Sequence, residues 1–151
     1  MSITTRLAEL NITLPDAPAP AANYVPYIQT GNLLFVSGQI SSGPDGLIKG
    51  RLGADMDVTQ GAAAARACGL ALLAQANAAL GSLDRVARVV KLTGFVASTP
   101  DFTDQPEVVN GCSDLMVEVF GDKGRHARAA VSAAALPRGV AVEIEAIFEI
   151  A

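Results

Sequence analysis

The chain has 151 residues, half of them hydrophobic, and 11 Lys plus Arg against 15 Asp plus Glu give a net charge of −4. That length suits one domain able to bury roughly 70% of its unfolded surface without metal or disulfide staples. Charged residues at 17% are too few to keep a long segment disordered, and the acidic balance repels a phosphate backbone, so nucleic acid is not an expected partner.

In chain order, Ser2 to Leu10 predicts a short helix, stopped by Asn11 and then by Pro15, Pro18 and Pro20; the stretch reads as an extension laid over the domain. Tyr27 to Thr30, the Gly31-Asn32 turn and Leu33 to Ser37 predict a hairpin, closed by the turn SSGPDG. Asp57 to Leu80 is Ala-rich and helical, with Thr59 as a candidate N-cap and Gly81 as its stop. Val86 to Ala97 predicts a strand from its β-branched content. Pro106 to Phe120 repeats apolar residues at three and four residue spacing, as an amphipathic helix does, and ends at Gly121. Arg128 to Ala134 and Val140 to Ile150 flank LPRG, and the second segment alternates strictly, which predicts an antiparallel hairpin with one buried face. Strands, helix, strand, helix, strands together predict an α+β fold in which two helices back one face of a mixed sheet.

Aromatics are only 5% of the chain, with no Trp, so the core layers must approach through small side chains. High apolarity in so small a chain is also what a buried subunit interface requires. Cys68 and Cys112 lie far apart in apolar, helix-like segments with no CxxC, and read as buried free thiols of a reducing compartment. The first fifteen residues lack a basic stretch followed by an apolar core, and no run of 18 apolar residues occurs, so a cytoplasmic protein without a membrane span is expected.

Walker-type, GxGxxG, GxSxG and HExxH motifs are missing, and the single His126, expected in a solvated loop, supports neither a multi-histidine metal site nor a serine triad. No metal and no organic cofactor is expected. Arg128 stands where a strand begins, either as an edge-strand solubility device or as a fork for a small carboxylate, which its planar guanidinium binds through two parallel hydrogen bonds. Glu143 and Glu145 alternate with apolar residues and share one sheet face, solvated or functional. The hydroxyls of Tyr24 and Ser37 read equally well as structural groups.

The stretches YVPYIQTGNLLFVSGQI, GSLDRVARVVKLTGFVAS and HARAAVSAAALPRGVAVEIEAIFEI resemble the Rid (YjgF/RidA) family, which includes enamine and imine deaminases. The resemblance covers residues 21–151 and leaves 1–20 as an N-terminal extension. It implies a chorismate mutase-like fold and a homotrimer with clefts between subunits. Carried over, it assigns Arg128 to the carboxylate and Glu143 to the catalytic water, with Tyr24 and Ser37 as cleft residues. Ala129 and Ala130 depart from the Ser and Cys of deaminating members, and GDKGR lengthens the preceding loop.

The expected activity is hydrolysis of a small 2-imino acid, or its enamine tautomer, to a 2-oxo acid and ammonia, with no cofactor. Two alternatives stand beside it. One is a trimeric module that binds or senses small carboxylates without catalysis, which the Ala129-Ala130 departure favours. The other is an endoribonuclease, weakened by the acidic balance and the lack of a basic, aromatic-interleaved face.

Overall fold

A computed structural model describes residues 2–151. Ser2 caps helix α1 (Ile3–Glu9), its hydroxyl accepting the Thr5 amide at 3.1 Å. Leu7, Leu10, Ile12 and Leu14 pack against the edge of the core, so the extension is laid on the domain as its composition predicts. The proline-rich stretch then reaches strand β1 (Tyr27–Thr30) without regular structure.

Gly31, at φ +59°, turns β1 into β2 (Leu33–Ile40), and the two pair antiparallel. The segment expected as a plain turn instead makes a miniature hairpin, β3 (Ser42–Gly43) with β4 (Gly46–Leu47). Helix α2 (Val58–Leu80) begins at Asp57, not at Thr59. The Asp57 carboxylate accepts the Gln60 amide and the Gln60 side chain accepts the Asp57 amide, both at 2.9 Å. This reciprocal pair satisfies two donors where Thr59 would satisfy one. Long and apolar enough by composition to cross a membrane, α2 is instead mostly buried within the fold.

Strand β5 (Val86–Ala97), helix α3 (Gln105–Phe120), strand β6 (Ala127–Ala133) and strand β7 (Val142–Ile150) complete the chain. The main sheet runs β1-β2-β7-β5-β6. It is mixed, as predicted, but β6 and β7 are not a hairpin. β6 pairs parallel to β5 through the α3 crossover, while β7 lies antiparallel between β2 and β5. The apolar residues of β7 are fully enclosed on one face and both its edges are bonded, which only a central position provides. The small, half-exposed residues of β6 suit an edge. LPRG is therefore a connection that crosses β5, not a turn.

Both long helices cover the same face of the sheet, and one core joins them to it. Their approach depends on glycine: a Cβ at Gly111 would collide with the Ala62 carbonyl, and one at Gly69 would press on Leu115 and Cys112. Cys68 and Cys112 are buried and free, as expected. Burial pushes the Cys112 thiol up to about 12, with Arg128 opposing that rise. The other sheet face has no helix, and Ile28, Phe35 and Val131 remain exposed on it. Gly-to-Ala in an exposed helix interior normally stabilises by about 1 kcal/mol. At Gly111 the sign should reverse: Gly111→Ala is expected to lose about 1–3 kcal/mol in urea unfolding, because the added methyl forces the helices apart.

Candidate functional site

Glu143 lies on β7 between the fully buried Val142 and Ile144, and so on the helix-free face of the sheet. Opposite it, β2 carries a bulge: Val36 pairs with Ala146, but Gln39, three residues on, pairs with Ile144, two residues back. The extra residue falls in Ser37-Gly38 and lets the backbone close over the carboxylate. A Cβ at Gly38 would collide with Glu143 Oε2. The glycine of SGQ is thus the residue that makes room for Glu143, and a Gly inside an apolar strand was the signal for it. Burial raises the Glu143 carboxyl above the usual carboxylate range, and the neighbouring Glu145 adds to the rise.

Glu143, Gly38, Gln39 and Tyr24 line one groove of about 1120 Å³. Its walls are the N-terminal segment, α2, the β3–β4 hairpin and the Pro137-Arg138 connection. The Tyr24 hydroxyl accepts the Ala21 amide at a long 3.4 Å, which leaves it free to meet another group. Ser37 points elsewhere: its hydroxyl donates to the Val25 carbonyl at 2.7 Å and lines a second, shallower groove with Tyr27, Phe35 and Glu145.

Arg128 lies apart from Glu143. On β6 it pairs with the fully buried Leu92, whereas Glu143 pairs with Phe95, three residues along β5 and on the opposite face. Its side chain turns to α3, where Nη1 donates to Asn110 Oδ1 at 2.8 Å and to Ser113 Oγ at 3.1 Å. Among the described residues it has no acidic partner within salt-bridge distance, and Nε and Nη2 carry no hydrogen bond. One edge of the guanidinium is fixed and the other is open. One chain therefore brings Tyr24 and Glu143 together and leaves Arg128 and Ser37 outside that groove.

Contrary to expectation, His126 is not a solvated loop residue. It is half-buried, with Nδ1 2.6 Å from the Gly124 carbonyl and Nε2 2.8 Å from Ser113 Oγ. The carbonyl can only accept, so Nδ1 carries the proton, Nε2 accepts the Ser113 hydroxyl, and the Ser113 lone pairs are turned to Arg128. Asn110 and Ser113 went unread in the sequence, and His126 was read only as a loop residue. The spacing of His126 and Arg128 by two, and of Asn110 and Ser113 by three on a helix, were the available signals. No group of three or more potential metal ligands occurs among the described residues.

Two opposite pH dependences follow. A carboxyl whose pKa is raised by folding costs stability as pH rises through the folded value. Glu143→Gln should therefore raise Tm at neutral pH and leave it unchanged near pH 3, where Glu is protonated in both states. Burial lowers the pKa of His126, the bond to the Gly124 carbonyl opposing and Arg128 adding. Stability should then fall as pH drops below about 6.5, the unfolded value, and His126→Gln should remove that part of the decline.

The chain was compared with known proteins. A family model described as Endoribonuclease L-PSP matches residues 14–150. Protein TCP17 of Trypanosoma cruzi is 53% identical over 150 residues, covering 98% of this chain and 94% of the relative. The RutC family protein PYRAB12510 of Pyrococcus abyssi is 32% identical over 143 residues, covering 93% and 97%. Among solved structures, the Agrobacterium tumefaciens protein Atu1372, of unknown function, superposes with a TM-score of 0.91 at 50% identity, covering 99% of this chain and 92% of that one. The YjgF gene product of E. coli gives 0.62 at 31% identity, covering 89% and 93%. With a match over nearly its whole length and relatives of this identity, the chain belongs to the YjgF/RidA family, also described as endoribonuclease L-PSP.

Proposed function

We propose that this protein hydrolyses 2-imino acids, or their enamine tautomers, to 2-oxo acids and ammonia, in a cleft between copies of the chain assembled as a homotrimer. The observation that carries the reading is the half-buried Glu143, whose carboxyl burial shifts toward the pH at which a general base works best. Water attacks the electrophilic imine carbon while Glu143 takes one of its protons and passes it to the nitrogen; Glu143 then carries the remaining hydroxyl proton to the same nitrogen, and ammonia leaves as the carbonyl forms. Tyr24 hydrogen-bonds the polar end of the substrate. No metal or organic cofactor enters these steps.

Arg128 anchors the carboxylate through its free Nε and Nη2, and it reaches Glu143 only from a neighbouring copy, because within one chain the two lie on opposite sheet faces. The helix-free face supports such an assembly: Ile28 is 58% and Val131 45% exposed, and large apolar side chains left in water on one face suit an interface.

A carboxylate-binding module without catalysis is the second reading, favoured by Ala129 and Ala130 beside Arg128. The endoribonuclease reading takes its support from the family description; the net charge of −4 opposes it.

Light scattering should give three times the 15.5 kDa of one chain. Glu143→Gln is expected to cut turnover by about 10² or more while 2-oxo acid affinity holds. Arg128→Lys should weaken binding and turnover together by about 1.5–3 kcal/mol, since an ammonium cannot replace two parallel N–H···O bonds. A wild type that binds 2-oxo acids but does not accelerate imine hydrolysis selects the binding module.

A further inference from the structure

The groove beside Glu143 is far larger than a three- or four-carbon imino acid. At about 1120 Å³, it matches or exceeds the ~300–1,000 Å³ pockets that hold drug-sized ligands. Tyr24, Gln39 and Glu143 bring polar groups to it, Asp16, Arg66 and Arg138 add charge to its walls, and most of the other lining residues are apolar. Helix α2 contributes Ala63, Ala67 and Leu70, one face at i, i+4 and i+7, and the N-terminal segment contributes Leu14, Pro18 and Ala22.

That segment is fastened, not draped. Gln75, 1% exposed on α2, donates its side-chain amide to the Pro18 carbonyl at 2.7 Å. Losing that partner would leave a buried donor unpaired, so the contact holds the wall in place. Pro15, Pro18 and Pro20 keep the wall extended and deprive it of the amide donors needed to join the sheet. Alanines on α2 then leave open the space that longer side chains would occupy.

We infer that the groove receives the side chain of the substrate, and that the preferred substrates are 2-imino acids with an apolar side chain of about four carbons or more, branched aliphatic or aromatic. The inference rests on the deaminase reading and deepens it. Each methylene moved from water into the groove should favour the larger substrate roughly fourfold.

The test compares kcat/KM for imines generated from leucine and from alanine by an amino acid oxidase, alongside calorimetric binding of 4-methyl-2-oxopentanoate and pyruvate. The wild type should prefer the leucine-derived imine by about tenfold or more and bind 4-methyl-2-oxopentanoate more tightly by a similar factor. Ala67→Leu should collapse both ratios by filling the groove, and Ala63→Leu, at the exposed position one turn earlier, does the same if the first variant does not fold. Imine hydrolysis without a size preference, or a preference that survives both substitutions, overturns the inference and leaves the deaminase reading standing. Size-selective 2-oxo acid binding without turnover keeps the groove assignment and overturns the deaminase reading. An Ala67→Leu protein that changes its assembly mass instead of its selectivity shows that a second copy fills the groove, which also overturns the inference.

Discussion

The distance between α2 and α3 is set by backbone against backbone, Gly111 resting on the Ala62 carbonyl. Much else is placed by that contact. Because α3 can come so close, its first half lies over β5 and β6, where a Cβ at Gly94 would press on Val109. Asn110 and Ser113, one residue before and two after Gly111, then meet Arg128 on β6. A core made from alanine, valine and glycine gives up the contact area of large rings and recovers it by density: many short contacts between layers that cannot slide without collision.

Covering a sheet on one side only divides its residues into two economies. Those facing the helices make the domain stable by itself. Those facing away, Phe35 and Phe95 among them, gain their full burial only when another surface covers them. Arg128 and Glu143 fall on opposite sides of that divide. The chain thus holds two separate polar clusters, each organised internally. One is a guanidinium fixed at a single edge by Asn110, Ser113 and, through the serine, His126. The other is a carboxylate sheltered by a strand bulge.

Much of this was legible in the residues, and what was not has physical causes. Periodicity located α3 and β7, each with a single buried face, while composition located α2 and β5. β7 revealed itself through strict alternation, yet alternation says nothing about which strands lie beside it, and LPRG has the composition of a turn whether or not it makes a hairpin. Thr59 looked like a cap because threonine often is one; the reciprocal Asp57–Gln60 pair needed the Gln three residues on to be noticed. Resemblance singled out Arg128 and Glu143, and the geometry adds that one chain keeps them apart. The partners of Arg128 come from α3 and from the preceding loop, contacts that no local pattern announces. Gly38 was visible only as a letter in a motif until the bulge gave its missing side chain a purpose.

The place of β7 in the sheet has a consequence for how the chain can be made. It is the last strand in sequence and the middle strand in space. During synthesis, β1 with β2 and β5 with β6 can pair as they emerge, but no hydrogen bond of the sheet joins the two pairs until β7 arrives between them. Until then two ribbons wait with open edges, held near one another by the helices and by Leu52, whose backbone bonds Ala97 and Thr99. A chain interrupted before residue 142 lacks the strand that closes the sheet, and its bare strand edges are free to pair with other chains.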